Sequence, residues 1–430
     1  MTAPRSYLFV TWEGGGNVPP VLGLARRLAA RGHDVRVLTE PCLRAAVEEA
    51  GARFVPFARH FTREDGTVDL IGDSAARSPL AALRRTFQNV VFGPARLVAE
   101  ETTRALEEER PEVVVADLMM PGALVAAEAA EIPRVVLFHM PEYLPGPGRP
   151  AAGPGFLPRA DLLGRIRDGL LTRLFLRQLR PFVPAFDEAR ASFGLPPLGS
   201  ARALIGEYHR AELRLIQTCR AFDFPIVPAP PNVRYVGPVL DDPGWVGTWR
   251  SPWAEGDDRP LVVVSLSSTF QDQRDVLRRI AAALGRLEVR GLVTLGPAMA
   301  GEELEVPENV VVVPAAPHGR IFPHAAAVVT HAGHGTVMRA LAHGLPMLCL
   351  PMGRDQDDNA ARVVAHGAGL RLPKSARPAR IAAAVRRLLE EPAHREGARR
   401  IGRAIREDAA ADRGVAELEA VGQSASAVTA

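Results

Sequence analysis

Lysine is almost absent from this chain. Of its 52 basic residues only Lys374 is a lysine, and no glycine loop carries one, so a Walker-type phosphate loop is excluded. Cysteine is scarce too: Cys42, Cys219 and Cys349 are odd in number and far apart. They fit neither a disulfide framework nor a zinc spacing, which sets a reducing cytoplasm as the expectation. Four tryptophans and four tyrosines are too few for a base-stacking platform. Charges alternate in sign without a basic block, so the net charge of +3 does not point to a nucleic-acid partner. No apolar run approaches the ~20 residues of a membrane helix, and Met1–Ser6 runs into a strand-like segment rather than a leader. Membrane insertion and secretion are therefore not expected.

What remains is an ordinary globular composition, 47% hydrophobic and 23% charged over 430 residues, enough for two or three domains at ~150 residues each. Tyr7–Thr11 is an apolar strand, and Trp12-Glu13-Gly14-Gly15-Gly16-Asn17 is a glycine-rich loop. Val18-Pro19-Pro20 then opens a helix whose stripe is Val21, Leu22, Ala25, Leu28 and Ala29. The next strand is Val35–Leu38. Val113–Ala116, ending at Asp117, and Val135–Phe138 repeat the pattern around a helix at Gly122–Ala130. Residues 144–200, rich in Pro, Gly, Arg and Leu, read as loops and amphipathic helices over a pocket. Leu213–Gln217 reads as the last strand of this half.

Periodicity fades through the proline-rich run 225–231 and the polar stretch 238–256. Strands resume at Leu261–Leu266, Gly291–Leu295, Val310–Val313, Ala327–Thr330 and Met347–Leu350, and a helical tail runs from about Ala379 to Ala420. Strand–helix alternation predicts parallel sheets with crossover helices. The expected fold is two doubly wound α/β domains facing a cleft: residues 1–237, a linker at 238–258, residues 259–405, and a C-terminal helix at 406–430 packing back on the first domain.

Ligands in such sheets sit at the carboxyl ends of the strands. Three short segments there stand out: Ser267-Ser268-Thr269, His331-Ala332-Gly333-His334-Gly335-Thr336, and Pro351-Met352-Gly353-Arg354-Asp355-Gln356. A glycine loop opening a helix presents bare N–H groups and a positive dipole end, which suits phosphate. His331, Thr336 and the Ser268 and Thr269 hydroxyls would add donors. Asp355 and Gln356 pair an acceptor with a donor, which suits vicinal sugar hydroxyls. Each segment alone has a bland account as a turn, a strand-end histidine or a helix start; their order and spacing argue for function.

HAGHGT at 331–336 followed by PMGRDQDDNAARVVAHGAG at 351–369 resembles the donor-binding signature of the GT-B glycosyltransferases of the UDP-glycosyltransferase superfamily, in the actinobacterial branch that decorates natural products. Ala315-Ala316-Pro317-His318 is similar to the segment before it. The resemblance implies inverting transfer of a hexose or deoxyhexose from a UDP- or dTDP-sugar to a small hydrophobic acceptor. It implies that His331, Gly333, His334, Gly335, Thr336, Ser268 and Thr269 hold the diphosphate side of the donor. Ala316 and His318 would stand at the nucleobase, and Asp355 and Gln356 at the sugar. Ala315 replaces the tryptophan of plant members, leaving the nucleotide open. The sugar nucleotide is then a co-substrate, with no metal or resident cofactor implied, in a monomer or homodimer without nucleic acid. The first half would hold the acceptor, with Trp12, Glu13, Gly15, Phe138 and His139 around it.

The same resemblance places a histidine base in a first-loop pattern like G-H-V-x-P, partnered by an aspartate. Here the stretch is Gly16-Asn17-Val18-Pro19-Pro20, and Asp117 matches the aspartate. An asparagine cannot accept a proton at neutral pH. Three readings stay open: an acceptor that needs little deprotonation and is oriented by Asn17; another base, from Asp117, Glu13 or His139; or an inactive protein. A nucleotide-sugar 2-epimerase and a nucleotide-sugar-binding activator are the other classes considered.

Overall fold

The computed structural model describes the chain from Ala3 to Thr429 except residues 67, 74, 147, 148, 151, 225, 226, 243–248, 270 and 300, with side chains as far as Val421. Parts of the expected linker and of the proline-rich run before it therefore lie outside the described residues.

The apolar runs form two wholly parallel sheets. The first takes β1 Ser6–Val10, β2 Asp34–Thr39, β3 Arg53–Pro56, β4 Val113–Asp117, β5 Arg134–Phe138, β6 Leu213–Ile216 and β7 Val233–Tyr235 in the order 3-2-1-4-5-6-7. The second takes β8 Leu261–Ser265, β9 Arg290–Thr294, β10 Val310–Val313, β11 Ala325–Thr330, β12 Met347–Cys349 and β13 Gly369–Arg371 in the order 10-9-8-11-12-13. Helices cover both faces, which is why β4, β5 and β8 are buried at every position and read as unbroken valine-rich runs.

Three strands were not expected. β3 and β13 are short and each carries an arginine, and β7 lies just past the proline run, so none offers an apolar stretch long enough to stand out. Leu213–Ile216 is thus not the last strand of its sheet. β7 adds beside it, with Arg214 facing Val233.

In each sheet the order reverses beside the central strand, between β1 and β4 and between β8 and β11. Those switch points set the crevices where ligands bind. The final helix, Arg413–Thr429, returns to the first half. Val415 and Leu418 are fully buried against its core, and Asp412 and Glu419 pair with Arg31. Among the described residues no helix is long and apolar enough to cross a membrane.

Candidate active site

Both switch points open into one cleft of about 2000 Å³. A pocket for one drug-sized ligand measures roughly 300–1,000 Å³, so this cleft has room for two substrates side by side. Its wall includes Trp12, Glu13, Gly15, Asn17 and His139 from the first half, and Ser268, Thr269, Ala316, His318, Asp355 and Gln356 from the second. The loop residues His331, Gly333, His334, Gly335 and Thr336 complete it.

Two expected residues are not in that wall. Asp117 is 2% exposed and sits behind it. Phe138 corrects an expectation: alternation along β5 turns its ring into the first core, edge-on to Tyr208, so it does not flank an acceptor.

On the second half, the helix His334–Ala342 starts at the cleft with Gly333 as an uncapped N-cap, leaving its first N–H groups and dipole end facing the space. His331 is buried beside it, and its Nδ1 has no partner among the described residues. Burial pushes its imidazole down to about 4, with Arg354 adding to the shift against a backbone contact at Ser265. Gly333 is required here: a Cβ on it would stand 2.4 Å from His331 Nε2. His318 stacks on Phe322 and bonds Ser265 Oγ at 3.2 Å, with burial lowering it to about 3.

Some side chains are already engaged. Gln356 accepts from the Met352 N–H at 2.8 Å and donates to Gln271 at 2.8 Å, while Asp355 accepts from Asn359 at 2.7 Å. Both therefore brace the turn before their helix. His334 reaches across to the first half, bonding Thr218 Oγ1 at 2.9 Å with its ring against the His139 backbone.

The two halves meet in the cleft. Gly15 has φ +78°, and a Cβ there would lie 2.4 Å from Thr269 Cγ2. Arg354, itself at φ +57°, donates to Asp73 at 2.8 and 3.1 Å and to Thr269 at 2.8 Å. Sequence reasoning missed this bridge. Arg354 lies inside the segment singled out, but Asp73 lies in a stretch without periodicity.

On the first half, Asn17 is 3% exposed and ties the loop together. Its Oδ1 accepts the Gly14 N–H, and its Nδ2 donates to the Trp12 carbonyl at 2.9 Å and to Asp117 Oδ2 at 3.0 Å. Asp117 also accepts from Thr11 Oγ1 and the Met119 N–H. Burial opposes its charge, yet His139, Met119 and Asn17 outweigh it and hold the carboxyl below the usual range. Asp117 therefore anchors a turn, and the helix Pro121–Ala129 takes no side-chain cap from it. Beyond this knot the wall is apolar and aromatic, with Trp12, Phe87, Tyr143, Phe175 and Tyr208.

Two facing Rossmann-like halves, with an uncapped helix start on one side of the cleft and an aromatic wall on the other, have the GT-B architecture of glycosyltransferases. Residues 278–421 match the family model described as "Erythromycin biosynthesis protein CIII-like, C-terminal domain". The chain is 31% identical over 412 residues to 4'-demethylrebeccamycin synthase of Lentzea aerocolonigenes, covering 92% of itself and 94% of that relative. It is 27% identical over 405 residues to demethyllactenocin mycarosyltransferase of Streptomyces fradiae, covering 93% and 82%. The crystal structure of CalG4, the calicheamicin glycosyltransferase, superposes with a TM-score of 0.70 at 25% identity, covering 98% of each chain. The chain belongs to the UDP-glycosyltransferase superfamily, in its actinobacterial natural-product branch, and is a glycosyltransferase of natural-product biosynthesis.

Proposed function

We propose that this enzyme transfers a hexose or deoxyhexose, with inversion, from a UDP- or dTDP-sugar to a small hydrophobic natural product. The single observation that carries the reading is the cleft itself. It joins an uncapped helix start, beside a buried histidine whose Nδ1 is unpartnered among the described residues, to an aromatic pocket, with space for both substrates.

The leaving diphosphate gathers negative charge as the anomeric bond breaks. The N–H groups of 334–336 and the dipole of their helix are aimed at that charge, and such preorganised donors need no reorganisation as the bond breaks. His331 adds an N–H from the side, and Ser268, Thr269 and Thr336 add hydroxyls. Ala316 and His318 receive the base. Asp355 and Gln356 face the sugar from a braced turn, which favours orientation over adaptability. The sugar nucleotide is consumed as a co-substrate, and the chain works in the reducing interior of the cell, where its three cysteines stay free. Asn17 holds Asp117 and the loop; its amide does not take the proton.

Calorimetry tests the donor assignment. His331→Ala should weaken UDP or dTDP binding at least tenfold while leaving the fold intact by circular dichroism. Unchanged affinity for both nucleotides would refute the phosphate site.

A further inference from the structure

Four groups stand near the carboxyl ends of β1, β4 and β5 where an acceptor must lose a proton. Asp117 is sealed behind the wall and holds three hydrogen bonds. Asn17 has no basic lone pair. Glu13 lines the cleft, but its Oε1 is turned into its own loop, accepting the Gly15 N–H at 2.7 Å. His139, the first residue after β5, also lines the cleft. Its Nδ1 faces inward, 3.5 Å from Asp117 Oδ2, and has no other polar partner among the described residues. That orientation leaves Nε2, on the opposite edge of the ring, for the cleft.

We propose that His139 is the general base of the transfer and that Asp117 is its positioning residue, with Asn17 and Thr11 holding the carboxylate in place. This rests on the transferase reading above. As the acceptor X–H bond breaks, the proton passes to Nε2 and the X lone pair forms the new bond to the anomeric carbon. The bond from that carbon to the diphosphate oxygen breaks, and the diphosphate leaves with its electron pair. Nδ1–H of the imidazolium is then charge-paired with Asp117, whose contact shortens from 3.5 Å in the reacting complex.

Among the described residues, the groups around His139 come from four elements. β4 contributes Asp117, and the loop after β1 contributes Glu13 and the neutral Asn17. The helix Ala201–His209 contributes Tyr208, near Asp117, whose phenol is held protonated by burial. The helix His334–Ala342 contributes His334, kept neutral by burial. Glu13 is the rival among these groups, since burial raises it to about 7.

A series of phenols graded in acidity, from 4-methoxyphenol to pentafluorophenol, separates the rivals when used as acceptors with the preferred donor. His139→Gln should lower kcat roughly 10²–10⁴-fold on 4-methoxyphenol and less than tenfold on pentafluorophenol, which is already ionised at neutral pH. The acid limb of kcat/KM should vanish, while KM and nucleotide affinity stay within threefold. Asp117→Asn should reproduce the acidity dependence more weakly, and Glu13→Gln should keep the acid limb. The proposal is overturned if His139→Gln slows all phenols equally, if it leaves kcat within threefold, or if Glu13→Gln removes the limb. Loss of nucleotide binding in wild type would instead count against the transferase reading.

Discussion

Asn17 shows how one side chain does three structural jobs at a place where chemistry is expected. Its amide accepts from one loop residue, donates to another and bonds a buried carboxylate. Asn17→Ala would leave the Gly14 N–H with the Trp12 carbonyl alone, and would remove the amide donor to that carbonyl and one of the bonds that keep Asp117 charged. Orphaning buried groups costs about 1–3 kcal/mol. Urea unfolding should therefore show a lower midpoint with an unchanged slope; an unchanged midpoint would mean that water replaces the amide fully. At this scale the sequence was partly legible. His331 and Gly335 were found because they follow a strand and open a helix, a purely local signal. The approach of His139 to Asp117 depends on β4 and β5 lying side by side, and that of Arg354 to Asp73 on two loops meeting across the cleft. Neither has a local signature.

Among elements, the loop after β1 and the loop after β8 act as a pair. Gly15 is glycine for two reasons: its φ of +78° and the Thr269 methyl against it. Gly16, next to it, has open space around an added Cβ and an ordinary φ. Gly15→Ala should then lower kcat/KM at least tenfold by forcing the loops apart, whereas Gly16→Ala should stay within twofold. Equal effects would show that loop flexibility, and not the contact, is what matters. Long, apolar strands such as β4, β8 and β11 were legible because burial on both faces demands continuous valine and alanine. β3, β7 and β13 were not, since edge or near-edge strands of three or four residues carry too little apolar sequence to separate from loops.

For the whole molecule, burying histidines in the second half ties stability to pH. His318, His331 and His334 are pushed by burial to about 3, 4 and 3. Unfolded imidazoles protonate below about 6.5, so in acid the unfolded chain binds more protons and stability falls with pH. Full stability is present above that value, and each group costs about 2 kcal/mol by pH 5. Urea midpoints should drop steeply between pH 7 and pH 5; a flat profile would mean these rings find charged-state partners. The returning C-terminal helix ties the halves together, and Leu418→Ala, at a fully buried position, should cost about 2–5 kcal/mol in the same melts. The activity that both halves serve is sugar transfer. The direct measurement is incubation with UDP- and dTDP-hexoses and deoxyhexoses and a panel of polycyclic aromatic and macrolide acceptors, read by mass spectrometry and by proton NMR of the anomeric centre. The expected result is an acceptor one sugar heavier, one nucleoside diphosphate released per product, inverted anomeric configuration, and no product with His331→Ala. Retained configuration, a sugar nucleotide altered without any acceptor, or full product from His331→Ala would contradict it.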